Sequence, residues 1–334
     1  MKVLSLFDGI SCGMVALERA GVKVDVYYAS EIDKNAIAIS QKNYPNIVRL
    51  GDVTKWREWD IPWSEIDLLI GGSPCQSLSI TQSKTRQGLD GKSKLFFEFV
   101  DVLNHLKSLN PDIMFLFENV ASMSEESKKA IEDCLGAKLI YQNSDAFSAQ
   151  DRPRLYATST GFVPVNKPSK LVIRDIMEKD VNEKYFYKCD FDYIGEKSVS
   201  AILHINGHDI LKRVHSPNFK CHTLTTCGGG NTQKKVLDNG RPRKLTPIEY
   251  ERLQTLPDNY TKGVADSHRY TALGNGWTVD VIVHILKYLL VNYPSSCRYN
   301  RNSSCCYPID DCMNCPAHPR STDMYWGMTK GDIL

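Results

Sequence analysis

Four side chains in this chain can do chemistry together. Cys75 follows Pro74, just past the apolar run Ile66-Asp67-Leu68-Leu69-Ile70 and a Gly71-Gly72-Ser73 turn. A thiol placed past the end of a buried strand faces a cleft, and proline fixes the backbone before it. Glu118 begins Glu118-Asn119-Val120, at the end of another apolar run. Arg152 and Arg154 follow in Gln150-Asp151-Arg152-Pro153-Arg154. A thiol, a carboxylate and two guanidinium groups from successive strand ends form a reaction centre. The chemistry they suit is covalent catalysis, with the thiolate as nucleophile.

The elements that must position them alternate. Short apolar runs predict strands over 2–7, 24–29, 67–70, 113–117, 138–142 and 154–158. Amphipathic stretches predict helices over 14–20, 34–43, 94–106 and 124–135. This alternation gives an α/β fold with a doubly wound, mostly parallel sheet covered by helices. Pro164 and Pro168 mark a boundary, and residues 172–243 are polar, β-prone and rich in turn residues. They predict a smaller, irregular β-rich domain. Helices over 246–255 and 278–290 follow. The expected division is a first domain over 1–165, a second over 166–269, a segment over 270–294 and a cysteine-rich tail over 295–334.

A nucleoside site is legible in the first half. Gly9 and Gly13 lack the third glycine of the dinucleotide fingerprint. Glu31 ends the second predicted strand, 22 residues after Gly9, where an acid can accept both ribose hydroxyls. Asp52 follows the next apolar run and suits either the exocyclic amine of an adenine or a helix cap. A nucleoside cofactor without a phosphate cradle fits S-adenosylmethionine better than NAD or ATP.

Bulk properties narrow the class. The 334 residues carry a formal charge of +2, which implies no partner by itself. From Lys212 to Lys244, however, there are eight Lys or Arg residues and one acid, Asp238. That run reads as a solvated face or as a phosphate-contacting surface. No segment is long and apolar enough to span a membrane, and Asp8 stands too early for a secretory signal. Six of the eleven cysteines are scattered through the first 230 residues, as expected for reduced thiols in a cytoplasmic protein. The other five crowd between Cys297 and Cys315. There Cys305, Cys312, Cys315 and His318 offer a structural zinc site, against loose reduced cysteines on a tail.

Six ordered blocks carry a resemblance. They are Ser5-Leu6-Phe7-Asp8-Gly9, Gly72-Ser73-Pro74-Cys75-Gln76, Glu118-Asn119-Val120, Gln150-Asp151-Arg152-Pro153-Arg154, Arg243-Lys244-Leu245-Thr246-Pro247-Ile248-Glu249 and Gly274-Asn275. With this order and spacing, from Val3 to about Tyr288, the chain resembles the cytosine-C5 DNA methyltransferase family. The resemblance implies a Rossmann-like domain that binds S-adenosylmethionine through Phe7, Asp8, Gly9, Ile10, Glu31, Ile32, Asp52, Val53, Pro74, Asn275 and Trp277. It also implies that 270–294 returns to the first domain, so that 1–165 plus 270–294 form the catalytic and cofactor-binding domain, and that 166–269 serves as target-recognition domain and hinge. Ile32 stands where many members have an aromatic. Gly276-Trp277 departs from the commoner serine-valine and is similar to the eukaryotic de novo branch.

The implied reaction adds Cys75 to carbon 6 of a cytosine turned out of duplex DNA. Glu118 binds ring nitrogen 3 as the neutral acid, Arg152 holds the carbonyl oxygen at position 2, and Arg154 supports the pocket through acidic partners. Residues 77–94, with Gly88 and Gly91, read as a lid. The expected DNA contacts are Gln76, Ser79, Arg86, Asn119, Thr223, Gly228, Gly229, Gly230 and Arg243. The partners implied are double-stranded DNA and, by function only, a cognate restriction endonuclease. No membrane is involved, and the chain is expected to be monomeric. Two rival readings remain: the tRNA-methylating branch, because Cys221-His222-Thr223 is close to its Cys-Phe-Thr element, and a catalytically inactive DNA-binding homologue.

Overall fold

The computed structural model describes residues 1–74, 93–227 and 231–291. Its first half alternates as the sequence predicts: β1 (Lys2–Leu6), α1 (Cys12–Arg19), β2 (Val26–Ser30), α2 (Lys34–Asn43), β3 (Val48–Arg49), β4 (Leu68–Gly71), α3 (Ser93–Leu109), β5 (Met114–Val120), α4 (Glu125–Leu135), β6 (Ile140–Asn143), β7 (Gln150–Asp151) and β8 (Pro153–Thr158). Local chemistry sets the helix ends. Asp33 caps α2 by accepting from Asn35 and Ala36 N–H, and Ser124 caps α4 while Gly136, at φ 66°, ends it.

The main sheet has seven strands in the order β3-β2-β1-β4-β5-β8-β6. The five from β3 to β5 are parallel; β8 runs antiparallel between β5 and β6. Alternation along the strands splits the core in two. Val3, Leu68, Ile70 and Leu116 face one cluster with Ala16, Ile39 and Ile282. Leu4, Leu6, Leu69, Phe115 and Phe117 face the other with Phe99 and Leu103. With both faces covered, the strands read as apolar runs.

The second half carries α5 (Ile173–Ile176), β9 (Phe191–Tyr193), β10 (Val199–Leu203), α6 (Asp209–Lys212), β11 (Arg213–His215), β12 (Cys221–His222), β13 (Lys235–Asp238), β14 (Arg241–Lys244), α7 (Pro247–Leu253), α8 (Asp266–Asn275) and α9 (Val279–Val291). Five strands form a separate sheet, β14-β13-β11-β10-β9, over a small core of Ala201, Leu203 and Val214. The strand β12 leaves that sheet and pairs in parallel with β7, Cys221 to Gln150 and His222 to Asp151. This pairing fastens the segment around β12 to the strand end that precedes Arg152. Helix α7 opens with a capping box of Thr246 and Glu249 and has Pro247 in its first turn. Helix α8 lies in a stretch for which the sequence predicts no helix. Among the described residues, no helix is long and apolar enough to cross a membrane.

Candidate active site

A cavity of about 470 Å³ opens past the carboxyl ends of β1, β2, β4 and β5, where open α/β sheets bind ligands. All eleven expected cofactor residues line it, together with Glu118, Asn119, Arg152 and Arg154.

The turn from β1 to α1 builds one end. Phe7, Gly9 and Ser11 all adopt left-handed backbone, at φ 58°, 59° and 59°, a conformation that costs energy at Phe7 and Ser11. The Gly9 N–H donates to Glu31 Oε2 at 2.8 Å, while Oε1 accepts from the Ile32 and Asp33 N–H groups at 2.7 and 2.8 Å. Glu31 is thus oriented by three backbone donors, and Oε2 keeps a lone pair for a ribose hydroxyl. Asp52 takes the capping role, with Oδ1 accepting from the Thr54 N–H at 2.9 Å, and the residue also lines the cavity. Ile32 is 70% exposed on the rim, an unusual state for isoleucine that suits a cover for a flat base. Two oriented carboxylates, apolar walls from Phe7, Ile32 and Val53, and a volume within the range of small-molecule sites fit S-adenosylmethionine.

Beneath the turn, Asp8 is buried. It accepts from Ser11 Oγ at 2.5 Å and from Tyr27 Oη at 2.8 Å. Burial raises its pKa. The Cys12 thiol also lines the cavity, but burial pushes it up to about 12. It stays protonated at neutral pH and is unsuited to attack.

At the other end, Glu118 stands near the end of β5. Its Oε1 is ion-paired with Arg154 Nε at 2.8 Å, and its Oε2 accepts from Trp277 Nε1 at 3.2 Å. Antiparallel pairing of β5 with β8 sets Val120 opposite Arg154 and so brings that arginine beside Glu118. Each carboxylate oxygen thus has a nitrogen partner, a guanidinium at one and an indole at the other. Gly72 makes the contact possible, since a Cβ there would lie 2.7 Å from Glu118 Oε2.

The expected role of Arg152 is corrected. Its guanidinium is buried and donates to Leu224 O at 2.8 Å, Gly274 O at 3.0 Å and Gly276 O at 2.9 Å. Burial, with Arg154 nearby, lowers its pKa to about 10. It joins two backbone segments through three carbonyls, Leu224 on one and Gly274 with Gly276 on the other. Arg154 supports the pocket through an acid, as expected. Asn119 is 2% exposed and donates to Ser73 O at 3.5 Å, so it ties down the turn before Pro74.

Arg243 is corrected in the same way. It is completely buried, with Nη2 2.7 Å from Glu249 Oε1 and Nε 2.6 Å from Asp238 Oδ2, because a guanidinium satisfies two carboxylates where phosphate cannot reach. Other members of the basic run also serve the fold. Lys235 donates to Asn231 O and Gln233 O at 2.7 and 3.0 Å, and burial lowers its pKa to about 8. Lys220 caps Asp145 O and Ser148 O. Thr223 donates to Asp151 O at 2.8 Å.

Cys75, Gln76, Ser79, Arg86, Gly228, Gly229 and Gly230 lie outside the described residues, as do the lid over 77–92 and the tail with Cys305, Cys312, Cys315 and His318. Among the described residues, no group of three His, Cys, Asp or Glu side chains can hold a metal.

Sequence reasoning missed a third wall, made by Thr226, His268, Thr271 and Ala272. It also missed Gln254, which is buried and donates to Leu273 O at 2.7 Å and Gly276 O at 3.0 Å. The only available signal was a glutamine directly after the predicted apolar face of α7.

Fold and cavity define a class: an α/β methyltransferase in which a nucleoside end and a carboxylate–guanidinium end share one cleft. The chain belongs to the C-5 cytosine-specific DNA methylase family, whose profile matches residues 1–290. It is similar to the Type II methyltransferase M1.ScrFI of Lactococcus lactis subsp. cremoris, 30% identical over 328 residues, covering 86% of this chain and 78% of that protein. M.Bsp6I of Bacillus sp. (strain RFL6) is 28% identical over 316 residues, covering 85% and 97%. The solved structure of the S. pombe Dnmt2 methyltransferase superposes with a TM-score of 0.60 at 18% identity, covering 87% and 98%. That of a putative DNA modification methyltransferase encoded within an E. coli prophage gives 0.60 at 21%, covering 87% and 99%. At such identities the structural likeness concerns the fold. The family makes this chain a DNA cytosine-5-methyltransferase.

Proposed function

We infer that the protein methylates carbon 5 of cytosine at a short site in double-stranded DNA, through a base turned out of the helix and a covalent bond to Cys75. One observation carries this reading. Glu118, with Arg154 at 2.8 Å, lines the same cavity as Glu31 and Asp52, so a base edge and a nucleoside cofactor meet in one cleft.

The target carbon is out of reach inside a stacked duplex, so the nucleotide must rotate out. Cys75 directly follows Pro74, which lines the cavity. Its thiolate adds to carbon 6 of the ring and raises electron density at carbon 5. When bound, S-adenosylmethionine supplies the electrophilic methyl group for that carbon. A base then removes the proton from carbon 5, the carbon–sulfur bond breaks, and Cys75 leaves as thiolate. Glu118 holds the nitrogen-3 edge as the neutral acid and donates its proton toward nitrogen 3, which neutralises the charge that develops on the ring. Arg154 replaces Arg152 as the donor to oxygen 2, because Arg152 is committed to three backbone carbonyls. Pairing with a restriction endonuclease is a proposal by analogy with the Type II relatives.

Bisulfite sequencing of host DNA after expression tests activity, base and site at once. A duplex containing 5-fluorocytosine at the mapped site, offered with S-adenosylmethionine, should leave protein and DNA joined through Cys75. A duplex library assayed beside tRNA separates the DNA reading from the RNA one. Transfer that survives Cys75→Ala undiminished rules the covalent route out.

A further inference from the structure

The indole of Trp277 does more than wall the cavity. Trp277 lines it, and its Nε1–H donates to Glu118 Oε2 at 3.2 Å while Arg154 occupies the other oxygen. The surroundings hold this contact in place. Gly276 O, in the peptide that enters Trp277, accepts from Arg152 Nη2 at 2.9 Å and from Gln254 Nε2 at 3.0 Å. A Cβ on Gly72 would lie 3.3 Å from the indole nitrogen, and one on Gly13 would lie 3.6 Å from ring atom Cζ3. Gly72 therefore leaves room for the ring beside the carboxylate, and Gly13 lies within contact distance of the ring's far edge. Packing against a ligand needs only a ring's shape, and phenylalanine would supply that. An N–H directed at the acid of the reaction end is a second task.

We propose that Trp277 is a positioning residue that couples the two ends of the cleft: its indole N–H holds the Glu118 carboxylate in place for the cytosine edge, and a cofactor packed on its ring fixes the indole. This rests on the role given to Glu118 above. Cofactor and DNA then bind cooperatively, and the effect is reciprocal by linkage. Without the N–H, Glu118 is held from the Arg154 side alone.

The test is a binding cycle on the full chain, using a duplex that carries the mapped site. DNA affinity is measured with and without S-adenosylhomocysteine for the wild type, Trp277→Phe, Glu118→Gln and the double variant; kcat and KM are measured alongside. In the wild type S-adenosylhomocysteine should tighten DNA binding by about tenfold, within the usual range for linked sites. In Trp277→Phe that factor should fall to within about twofold of unity. Its kcat should drop about tenfold, with KM for S-adenosylmethionine changed by less than about threefold. The double variant should lose no more coupling than either single one.

Unchanged coupling in Trp277→Phe overturns the proposal, as does equal DNA affinity with and without S-adenosylhomocysteine in the wild type. Weakened cofactor binding with an unchanged kcat also overturns it, because the ring would then be a wall only. Should Trp277→Phe fail to bind S-adenosylhomocysteine, Trp277→His and Trp277→Leu decide: the proposal requires the ring N–H of histidine to keep coupling that leucine loses. A wild type that methylates no cytosine refutes the reading of the site, while the binding cycle, run then on a mixed-sequence duplex and needing no turnover, still decides the pairing.

Discussion

Arg154 Nε and Glu118 Oε1 stand 2.8 Å apart at the boundary between two antiparallel strands, each side chain only 13% exposed. A guanidinium and a carboxylate so placed present a donor and an acceptor to the same incoming edge. The pair is held by the sheet itself and not by a loop, which keeps it oriented before substrate arrives. Glu118→Gln removes the charge and keeps the shape. It should lower kcat/KM by about 100-fold or more, the usual cost of losing one group that follows developing charge, while the Kd for S-adenosylhomocysteine stays within about threefold. Steady-state kinetics beside calorimetric titration check both halves.

Arg152 makes the opposite prediction. Its fork satisfies carbonyls from the recognition segment and from the end of α8. Arg152→Ala takes this donor from Leu224 O and Gly274 O in a buried site, at roughly 1–3 kcal/mol each, while Gly276 O keeps Gln254. The melting temperature should fall by many degrees. Arg152→Lys should not restore it, since a point charge cannot span three acceptors in a fixed fork. Calorimetric melting of the two variants tests this. A normal melt with lost activity would return Arg152 to the base.

The contrast between these arginines shows where the sequence stops being legible. The parallel sheet was legible because buried strands leave apolar runs and their helices carry caps: α2 occupies 34–43 as expected, between its Asp33 cap and Pro45. Nine of the eleven expected cofactor residues line one cavity because they follow strand ends whose order the fold fixes, while Asn275 and Trp277 come from the end of α8 and the turn after it. Arg152 and Arg154 are two residues apart, which suggests one strand face. Only Arg154 lies within β8; Arg152 falls between β7 and β8 and turns inward. Helix α8 was hidden because Asp266-Ser267-His268-Arg269 is polar and Gly274 weakens its end. Its order comes from outside, through buried Tyr270 and Leu273 and the bond from Gln254. Charge pattern did not single out Arg243 within 212–244, because a buried ion pair and a phosphate contact look the same in sequence.

Arg243 turns that last point into a measurement. Breaking its fully buried pair with Glu249 leaves a carboxylate uncompensated, which costs about 3–5 kcal/mol. Arg243→Ala should therefore unfold at markedly lower denaturant. At a temperature where it remains folded, the slope of log K for DNA against log salt should match the wild type. A phosphate-contacting arginine would instead reduce that slope by about one.

His215 links the recognition sheet to pH. It is 2% exposed, its ring lies 4.6 Å from that of His222, and its Nδ1 is 3.2 Å from Ser198 O. Burial, with His222, Lys234 and Lys235 nearby, lowers its pKa to about 3. In the unfolded chain it titrates near ~6.5. Between those values the unfolded state binds the extra proton, so stability rises with pH through the window. The contribution is complete above about 6.5 and is lost progressively as the pH falls towards 3, with a slope of at most about 1.4 kcal/mol per pH unit. His215→Phe, neutral at every pH, should flatten the fall in urea midpoint between pH 7 and pH 5 relative to the wild type. An equal fall in both proteins would place the acid sensitivity elsewhere, with His222, whose own pKa burial lowers, as the next group to replace.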